Sequence, residues 1–257
     1  MTPPGAMADT TPFLDAPLLP WTEQQVVDEI ARRLDAGIPT RVAVINVAKL
    51  VRMRDDPALR DAVLAADLAP VDGVGVMWGA RLLGRAVPER VAGIDLFHRL
   101  IALAARRGEA VFLLGAREPV VREAVERLLR VHPTLIVAGW HHGYWGADGA
   151  SVRAAIRDSG ASMLFVALGT PAKEIWIHRH FDELGVKLAM GVGGTFDVVA
   201  RRQRRAPRWL QRAGLEWAYR TVQEPGRLGP RYLETNLRYA GLLGRALVGR
   251  VTPRARR

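Results

Sequence analysis

Hydrophobic positions along the chain follow two alternating rhythms: short continuous apolar runs, and longer stretches with an apolar residue every three or four positions. Thr22 opens the first helical stretch, Gln25 completes a capping box three residues on, and Gly37 ends it. Thr40 to Asn46 (TRVAVIN) reads as a strand from its β-branched content. A helical stretch from Val47 breaks near Asp55-Asp56, and Pro57 suits the first position of the next helix. Leu68 to Val71 predicts a short buried strand ending in Asp72-Gly73, with a helix to about Leu83. The alternation continues with a helix over Asp95 to Arg106, a strand over Ala110 to Gly115 and a helix over Glu118 to Arg130. A strand over Thr134 to Ala138, a helix over Asp148 to Arg157 and a strand over Ser162 to Gly169 follow. A helix after Pro171 and a last strand from Lys187 complete it.

Strands and helices in this order imply βαβ units. The expected fold class is α/β, a Rossmann-like, mostly parallel sheet with helices on both faces. Ligands of such sheets bind beyond the carboxyl ends of the strands. Those ends carry Asn46, Asp72, Gly115, Gly169 and Gly191 to Gly194. From about Pro207 the pattern changes to two helical stretches, Pro207 to Val222 and about Arg231 to Arg250, separated by EPGRLGP. The second is amphipathic and basic, which suits a membrane surface and equally a helix packed on the body. The expected organisation is a Pro-rich disordered lead-in over residues 1–20, a Rossmann-like domain over 21–206, and a basic helical, membrane-associating appendage over 207–257.

Charge sharpens that division. Residues 1–200 hold 22 Lys/Arg against 23 Asp/Glu, whereas residues 201–257 hold 15 Arg against 3 Glu. A near-neutral body with a strongly basic tail seeks phosphate: anionic lipid, nucleic acid or a pyrophosphate ligand. The chain has no cysteine, which excludes disulfides and thiolate metal sites. The first twenty residues lack the basic and apolar regions of a signal peptide. No apolar run reaches the roughly 18–20 residues of a membrane span.

Candidate chemistry concentrates in four segments. In VDGVGVMWG, Asp72 at a strand tip can take a proton from an attacking hydroxyl, and equally can cap a helix. Gly73, Gly75 and Gly79 loosely match a dinucleotide fingerprint, one residue too long, with Asp95 at a tempting distance. In GVGGTFD, Gly193 and Gly194 can bring backbone N–H groups to phosphate, and Asp197 can accept from a ribose hydroxyl. In ALGTPAKE, Gly169 turns the chain and Pro171 opens a helix whose first turn holds Lys173 and Glu174 near any ligand. In HHGYW, Tyr144 suits stacking better than the histidines suit a metal, since no carboxylate stands at zinc spacing. No Asp-x-Asp pair exists to bridge a divalent ion to a pyrophosphate. No metal and no cofactor is expected.

Read together, VDGVGVMWGARLLG, PERVAGIDLF, VALGTPAKE, GVGGTFDVVA and RAPRWLQRAGLEWAYRTVQEPGRL stand in the order seen in the WecG/TagA/CpsF glycosyltransferases, and the resemblance runs from about Asn46 to Tyr239. It implies an inverting enzyme of cell-surface polysaccharide synthesis. Its donor would be a UDP-sugar, carrying N-acetylmannosamine or a related sugar. Its acceptor would be a polyprenyl-diphosphate-linked sugar, reached by a cytoplasmic protein peripheral on the inner face of the cell membrane. By matching position, the resemblance implies Asp72 as general base and Asn46 as a residue holding the sugar, with Arg90 in the PERVAG segment. It sets Tyr144 and Asp197 near the uridine, and Arg220, Arg227 and Arg231 over the diphosphate. Two residues depart from the family pattern: Val44, where many members have threonine, and Lys173, where most have glutamine. Both bear on which sugar is taken rather than on the reaction class. The expected partners are the donor, the lipid-linked acceptor and an anionic membrane surface, with no nucleic acid and with homo-oligomerisation left open. Two rival readings remain, a nucleotide-dependent oxidoreductase built on the Gly73 to Gly79 turn and a nucleic-acid-binding module built on the tail. The second lacks any helix-turn-helix or RNA-binding signature.

Overall fold

Apolar side chains at Phe13, Leu18 and Leu19 hold the amino-terminal stretch against the body. The computed structural model describes residues 10–146, 148–223 and 225–251. Within it, β1 (Thr11–Phe13) and β2 (Ala16–Leu18) form an antiparallel hairpin. Its two turn residues, Leu14 and Asp15, both have positive φ, as a two-residue hairpin turn of matching twist requires. This corrects the expectation of a disordered lead-in for Thr11 to Leu18; residues 1–9 of it lie outside the described residues. The prolines masked a strand alternation whose apolar members are almost fully buried.

The order then runs α1 (Glu23–Asp35), β3 (Thr40–Val42), α2 (Val47–Arg52), α3 (Pro57–Leu64), α4 (Val74–Leu82) and α5 (Gly93–Arg107). It continues through β4 (Ala110–Gly115), α6 (Glu118–Val131), β5 (Ile136–His141), α7 (Gly149–Asp158), β6 (Met163–Ala167), α8 (Ala172–His180), β7 (Leu188–Gly191) and α9 (Thr195–Val199). Helices α10 (Arg208–Arg212), α11 (Glu216–Gln223) and α12 (Pro225–Val251) close the described chain. The capping box at Thr22 forms as the spacing predicts, with the Gln25 N–H donating to Thr22 Oγ1 at 3.2 Å and the Thr22 N–H donating to Gln25 Oε1 at 2.8 Å.

Five strands make one parallel sheet in the order β3-β7-β6-β4-β5. Alternate residues divide it. Val111, Leu113, Met163, Phe165, Leu188 and Met190 face one core with α1, α5 and α6. Phe112, Leu114, Leu164, Val166 and Ala189 face another with α7 and α8. The segment expected as the strand Leu68 to Val71 instead extends the sheet past β3 through separate bridges, Val42 to Leu68 and Ile45 to Val71. Pro70 supplies a carbonyl to the Ile45 N–H at 2.8 Å but has no N–H of its own, so no regular ladder forms. The first strand is accordingly shorter than Thr40 to Asn46, and Asn46 caps α2. The strand expected over Thr134 to Ala138 begins at Ile136 and runs to His141, because a turn closed by the Leu135 N–H on the His132 carbonyl occupies its start.

One further expectation is corrected at the carboxyl end. The EPGRLGP segment is helical from Pro225 onward: α11 ends at Gln223, and α12 runs from Pro225 through Pro230 to Val251. Pro225 stands at the helix start, where its missing N–H costs nothing, and Pro230 falls early enough that one lost bond is outweighed by packing farther along. That packing comes from Tyr239, Leu242, Leu243, Ala246 and Leu247 on a third core made by α2, α3 and α4.

Candidate active site

The carboxyl ends of the parallel strands form one edge, and six of the expected site residues stand along it. The connection leaving β4 leads outward to β5, while that leaving β6 leads the other way to β7. The sheet's topological switch point therefore lies between β4 and β6, the place beyond whose strand ends sheets of this class bind ligands. Gly115 stands at this point with φ 118°, and a Cβ there would stand 2.5 Å from the Ala167 carbonyl oxygen. Only glycine lets the two strand ends close to that distance. Gly143 closes over the same place, its N–H on the Ala116 carbonyl at 2.7 Å. Beside it Tyr144 is 73% exposed, with its N–H donating to His142 Nδ1 at 3.1 Å. Gly169 leads into the cis Thr170-Pro171 peptide that starts α8. Beyond β7, Gly193 takes φ 56° and Gly194 caps α9, whose first turn contains the half-buried Asp197.

Asn46 sits at the tip of the β3 segment, exposed, with its Oδ1 accepting the Lys49 N–H at 2.9 Å. That cap uses the oxygen and leaves the amide nitrogen as a donor. Asp72 lies on the far side of it, its own N–H held by the Ile45 carbonyl at 2.7 Å. Gly73 follows with φ 106° and turns the chain into α4. The Gly93 N–H donates to Asp72 Oδ2 at 3.4 Å, and Arg90 Nη1 stands 3.8 Å from Oδ1. The same Nη1 lies 3.4 Å from Glu216 of α11. Glu216 also faces Arg205 at 3.5 Å, and Arg205 grips Asp95 at 2.5 and 2.6 Å. Asp95 thus belongs to a chain of alternating charges that begins at Asp72. It does not serve a dinucleotide fingerprint.

The glycines of that would-be fingerprint have other work as well. A Cβ on Gly79 would collide with the Tyr239 hydroxyl and come within 3.0 Å of Leu243. Tyr239 donates to the Gly75 carbonyl at 3.0 Å, and burial pushes its phenol well above the ordinary value, so it remains a neutral donor. Gly79 therefore makes room for Tyr239 and Leu243 of α12, while Gly75, where a Cβ would stand 3.0 Å from Val47 of α2, supplies the carbonyl that Tyr239 bonds; both glycines are used in packing α4 rather than in a nucleotide turn.

Lys173 and Glu174 do stand in the first turn of α8, but both are buried. Lys49 and Lys173 each reach Glu174 Oε1, at 2.8 and 2.9 Å. Lys49 also donates to the Val44 carbonyl at 2.6 Å, and Lys173 to the Thr170 hydroxyl. Burial works to raise the Glu174 pKa, but the two ammonium groups outweigh it and hold the carboxyl below its usual range. The helical stretch from Val47 gave no sign of Lys49, because a mid-helix lysine ordinarily faces water. Glu216 and Arg205 likewise carry no local signature. The expected contributions of Arg220, Arg227 and Arg231 fall on side chains outside the described residues; their backbones lie in α11 and α12.

The glycosyl transferase WecG/TagA/CpsF family model matches residues 11–253. The chain belongs to this family. It is similar to an N-acetylglucosaminyldiphosphoundecaprenol N-acetyl-beta-D-mannosaminyltransferase of Bacillus spizizenii, 37% identical over 172 residues that make up 67% of this chain and 66% of that protein. A protein of the same name from Bacillus subtilis is 31% identical over 194 residues, 76% of this chain and 75% of the relative. The chain thus spans about two thirds of the first relative's length. The family match contains every site residue discussed above.

Proposed function

We propose that this member of the family is an inverting glycosyltransferase. It moves N-acetylmannosamine or a related sugar from a UDP-sugar to a polyprenyl-diphosphate-linked sugar in cell-surface polysaccharide synthesis. The observation that carries the reading is the order of groups along the sheet edge. From Tyr144 and Gly115 it passes Gly169, Gly193 and Asn46 to Asp72. Four strand spacings separate the Asp72 segment from β4, about 19 Å at the usual interstrand distance. That is close to the length of an extended nucleoside diphosphate sugar. The nucleoside lies at the switch point with Tyr144 as a stacking surface, the diphosphate near the Gly193-Gly194 turn, and the sugar between Asn46 and Asp72.

In that pose Asp72 accepts the proton of the acceptor hydroxyl as its oxygen forms the new bond to the anomeric carbon. The bond from that carbon to the diphosphate oxygen breaks with its electrons on the leaving UDP, and a single displacement inverts the centre. Backbone N–H groups and arginines meet the charge that develops on the leaving group. Among the described residues no helix is long and apolar enough to cross a membrane. The lipid of the acceptor sets the reaction at the membrane face, and the basic tail adds attraction to anionic lipid.

The test is a panel of UDP-sugars offered with N-acetylglucosaminyl-diphosphoundecaprenol, scored for UDP release and for the anomer formed. Transfer with inversion from one or more donors is expected. Release without a lipid-linked product, or retention at the anomeric carbon, overturns the reading.

A further inference from the structure

A cleft of about 590 Å³ opens between α4 and α10, and Arg90 lines it at the end nearest Asp72. Its volume falls within the ordinary range of ligand pockets. Its chemistry differs from that of the glycine-rich sheet edge. One wall is apolar, made by Val74, Met77 and Trp78 of α4. The other carries Arg208 and Gln211 of α10. Glu89, also in the lining, accepts the Glu23 N–H at 3.1 Å and so serves the start of α1.

The apolar wall does not stop at the cleft. Trp78 is 72% exposed and Leu82, one turn along α4, is 57% exposed; on the facing helix α10, Trp209 next to Arg208 in sequence is 67% exposed. Large apolar side chains left in water on both helices that border the cleft mark a surface that something apolar covers. A nucleoside diphosphate sugar already fills the opposite side of Asp72 in the proposed pose and has no use for such a wall. A cationic mouth that leads into an apolar track fits one kind of molecule, an anionic head on a long hydrocarbon chain.

We propose that this cleft is the subsite for the prenyl-diphosphate arm of the acceptor. Arg208, with Arg90 at the inner end, meets the phosphates; Met77 and Trp78 meet the first isoprene units; and the chain leaves past Leu82 and Trp209 toward the lipid phase. The inference rests on the glycosyltransferase reading for its occupant but not for its chemistry. It places the acceptor sugar between the arm and Asp72, so the two substrates approach the base from opposite sides.

Farnesyl diphosphate is the direct probe, titrated calorimetrically into the full chain. The wild type should bind it, and Arg208→Gln and Trp78→Ser should each weaken binding about tenfold, the usual loss for one charge-assisted contact or one buried aromatic. In the transfer assay, Trp78→Ser should raise KM for the undecaprenyl acceptor about tenfold. It should leave KM for the same sugar diphosphate on a short alkyl chain within about twofold. Arg208→Gln should raise KM for both acceptors, and neither change should move KM for the donor. No binding of farnesyl diphosphate by the wild type overturns the subsite, as does a Trp78→Ser effect that ignores chain length. A rise in donor KM overturns it too. Binding that weakens as expected in a protein that transfers no sugar upholds the subsite and sinks the functional reading instead.

Discussion

Replacing Glu174 with glutamine should destabilise the fold by about 3–5 kcal/mol, the usual cost of removing one partner from a buried ion pair. The side chains of Lys49, Lys173 and Glu174 are 4%, 10% and 4% exposed, and both ammonium groups meet the same carboxylate oxygen. Glutamine keeps the shape and an acceptor oxygen but removes the charge. The Val44 carbonyl and the Thr170 hydroxyl still take one proton from each lysine, yet neither offsets a full positive charge. A neutral hydrogen bond is worth only about 1 kcal/mol net, so the loss of countercharge dominates. In a chain of this size the change amounts to a fall in Tm on the order of 10 °C.

Acid should expose the same group. The folded pKa of Glu174 lies below its ordinary value of 4.5, so its contribution is complete above that value and is lost as pH falls through the folded one. Glu174→Gln should lose this part of the wild type's acid sensitivity. Adding Lys49→Met removes one of the two stranded charges and should recover about half the loss. Urea unfolding of the three proteins at neutral and acid pH decides it. A single variant within 1 kcal/mol of wild type, or a double variant no more stable than the single, would refute the argument that charge rather than shape holds this cluster.

Three further outcomes follow from the site and its supports. Asp72→Asn should retain the wild-type melting temperature and donor binding while lowering turnover by roughly 10² to 10⁴, the range for a positioned proton acceptor; activity within a few-fold of wild type would reduce Asp72 to a turn residue. Transfer should persist in EDTA, because the chain has no Asp-x-Asp pair and the described residues contain no group of three His, Asp or Glu side chains able to hold a metal; restoration by added Mg²⁺ or Mn²⁺ after chelation would contradict this. Gly79→Ala should cost about 1–3 kcal/mol through its collision with the Tyr239 hydroxyl, and Tyr239→Phe should relieve most of it; equal penalties in the two backgrounds, by thermal unfolding, would place the clash elsewhere.

How much of this was legible in the sequence depends on the range of the interaction. The sheet was legible because strands buried on both faces must be continuous apolar runs, as in AVFLLG and SMLFVALG. The edge residues followed from it, since a strand's last residue fixes where its loop begins. Gly115 ends β4 as that reasoning puts it, whereas Asn46, Asp72 and Gly169 follow a shorter strand or isolated bridges and reach the same edge through the residues beyond them. Pairings between distant positions were not legible. Helical periodicity assigns Lys49 a face, but nothing near it announces a carboxylate 125 residues away. Gly79 resembled part of a nucleotide turn because a glycine that admits a phosphate and one that admits a tyrosine leave the same local signature. The amino-terminal hairpin was hidden because Pro12 and Pro17 look like breakers, while a two-stranded ribbon tolerates them at its edges.

The carboxyl-terminal helices looked separable from the body because their charge is so different. The contacts make them part of the site's foundation. Helix α4 starts two residues after Asp72, and two contacts from beyond residue 207 converge on it. Tyr239 bonds the Gly75 carbonyl, and Gly214 packs so closely that a Cβ would stand 2.7 Å from Val74 Cβ. A third contact, Glu216 to Arg90, reaches the guanidinium nearest the base. Removing the tail would therefore do more than discard a membrane anchor. It would uncover Leu50, Val76 and Ala80 in the core shared with α12, and it would take from Arg90 one of its two carboxylates. Lost activity in a truncated protein would then say nothing about lipid, since the base and its arginine would have lost their support in the same step. The separation has to be made with point changes: exposed Leu233 and Leu237 of α12 for membrane contact, and Glu216 for the geometry around Asp72.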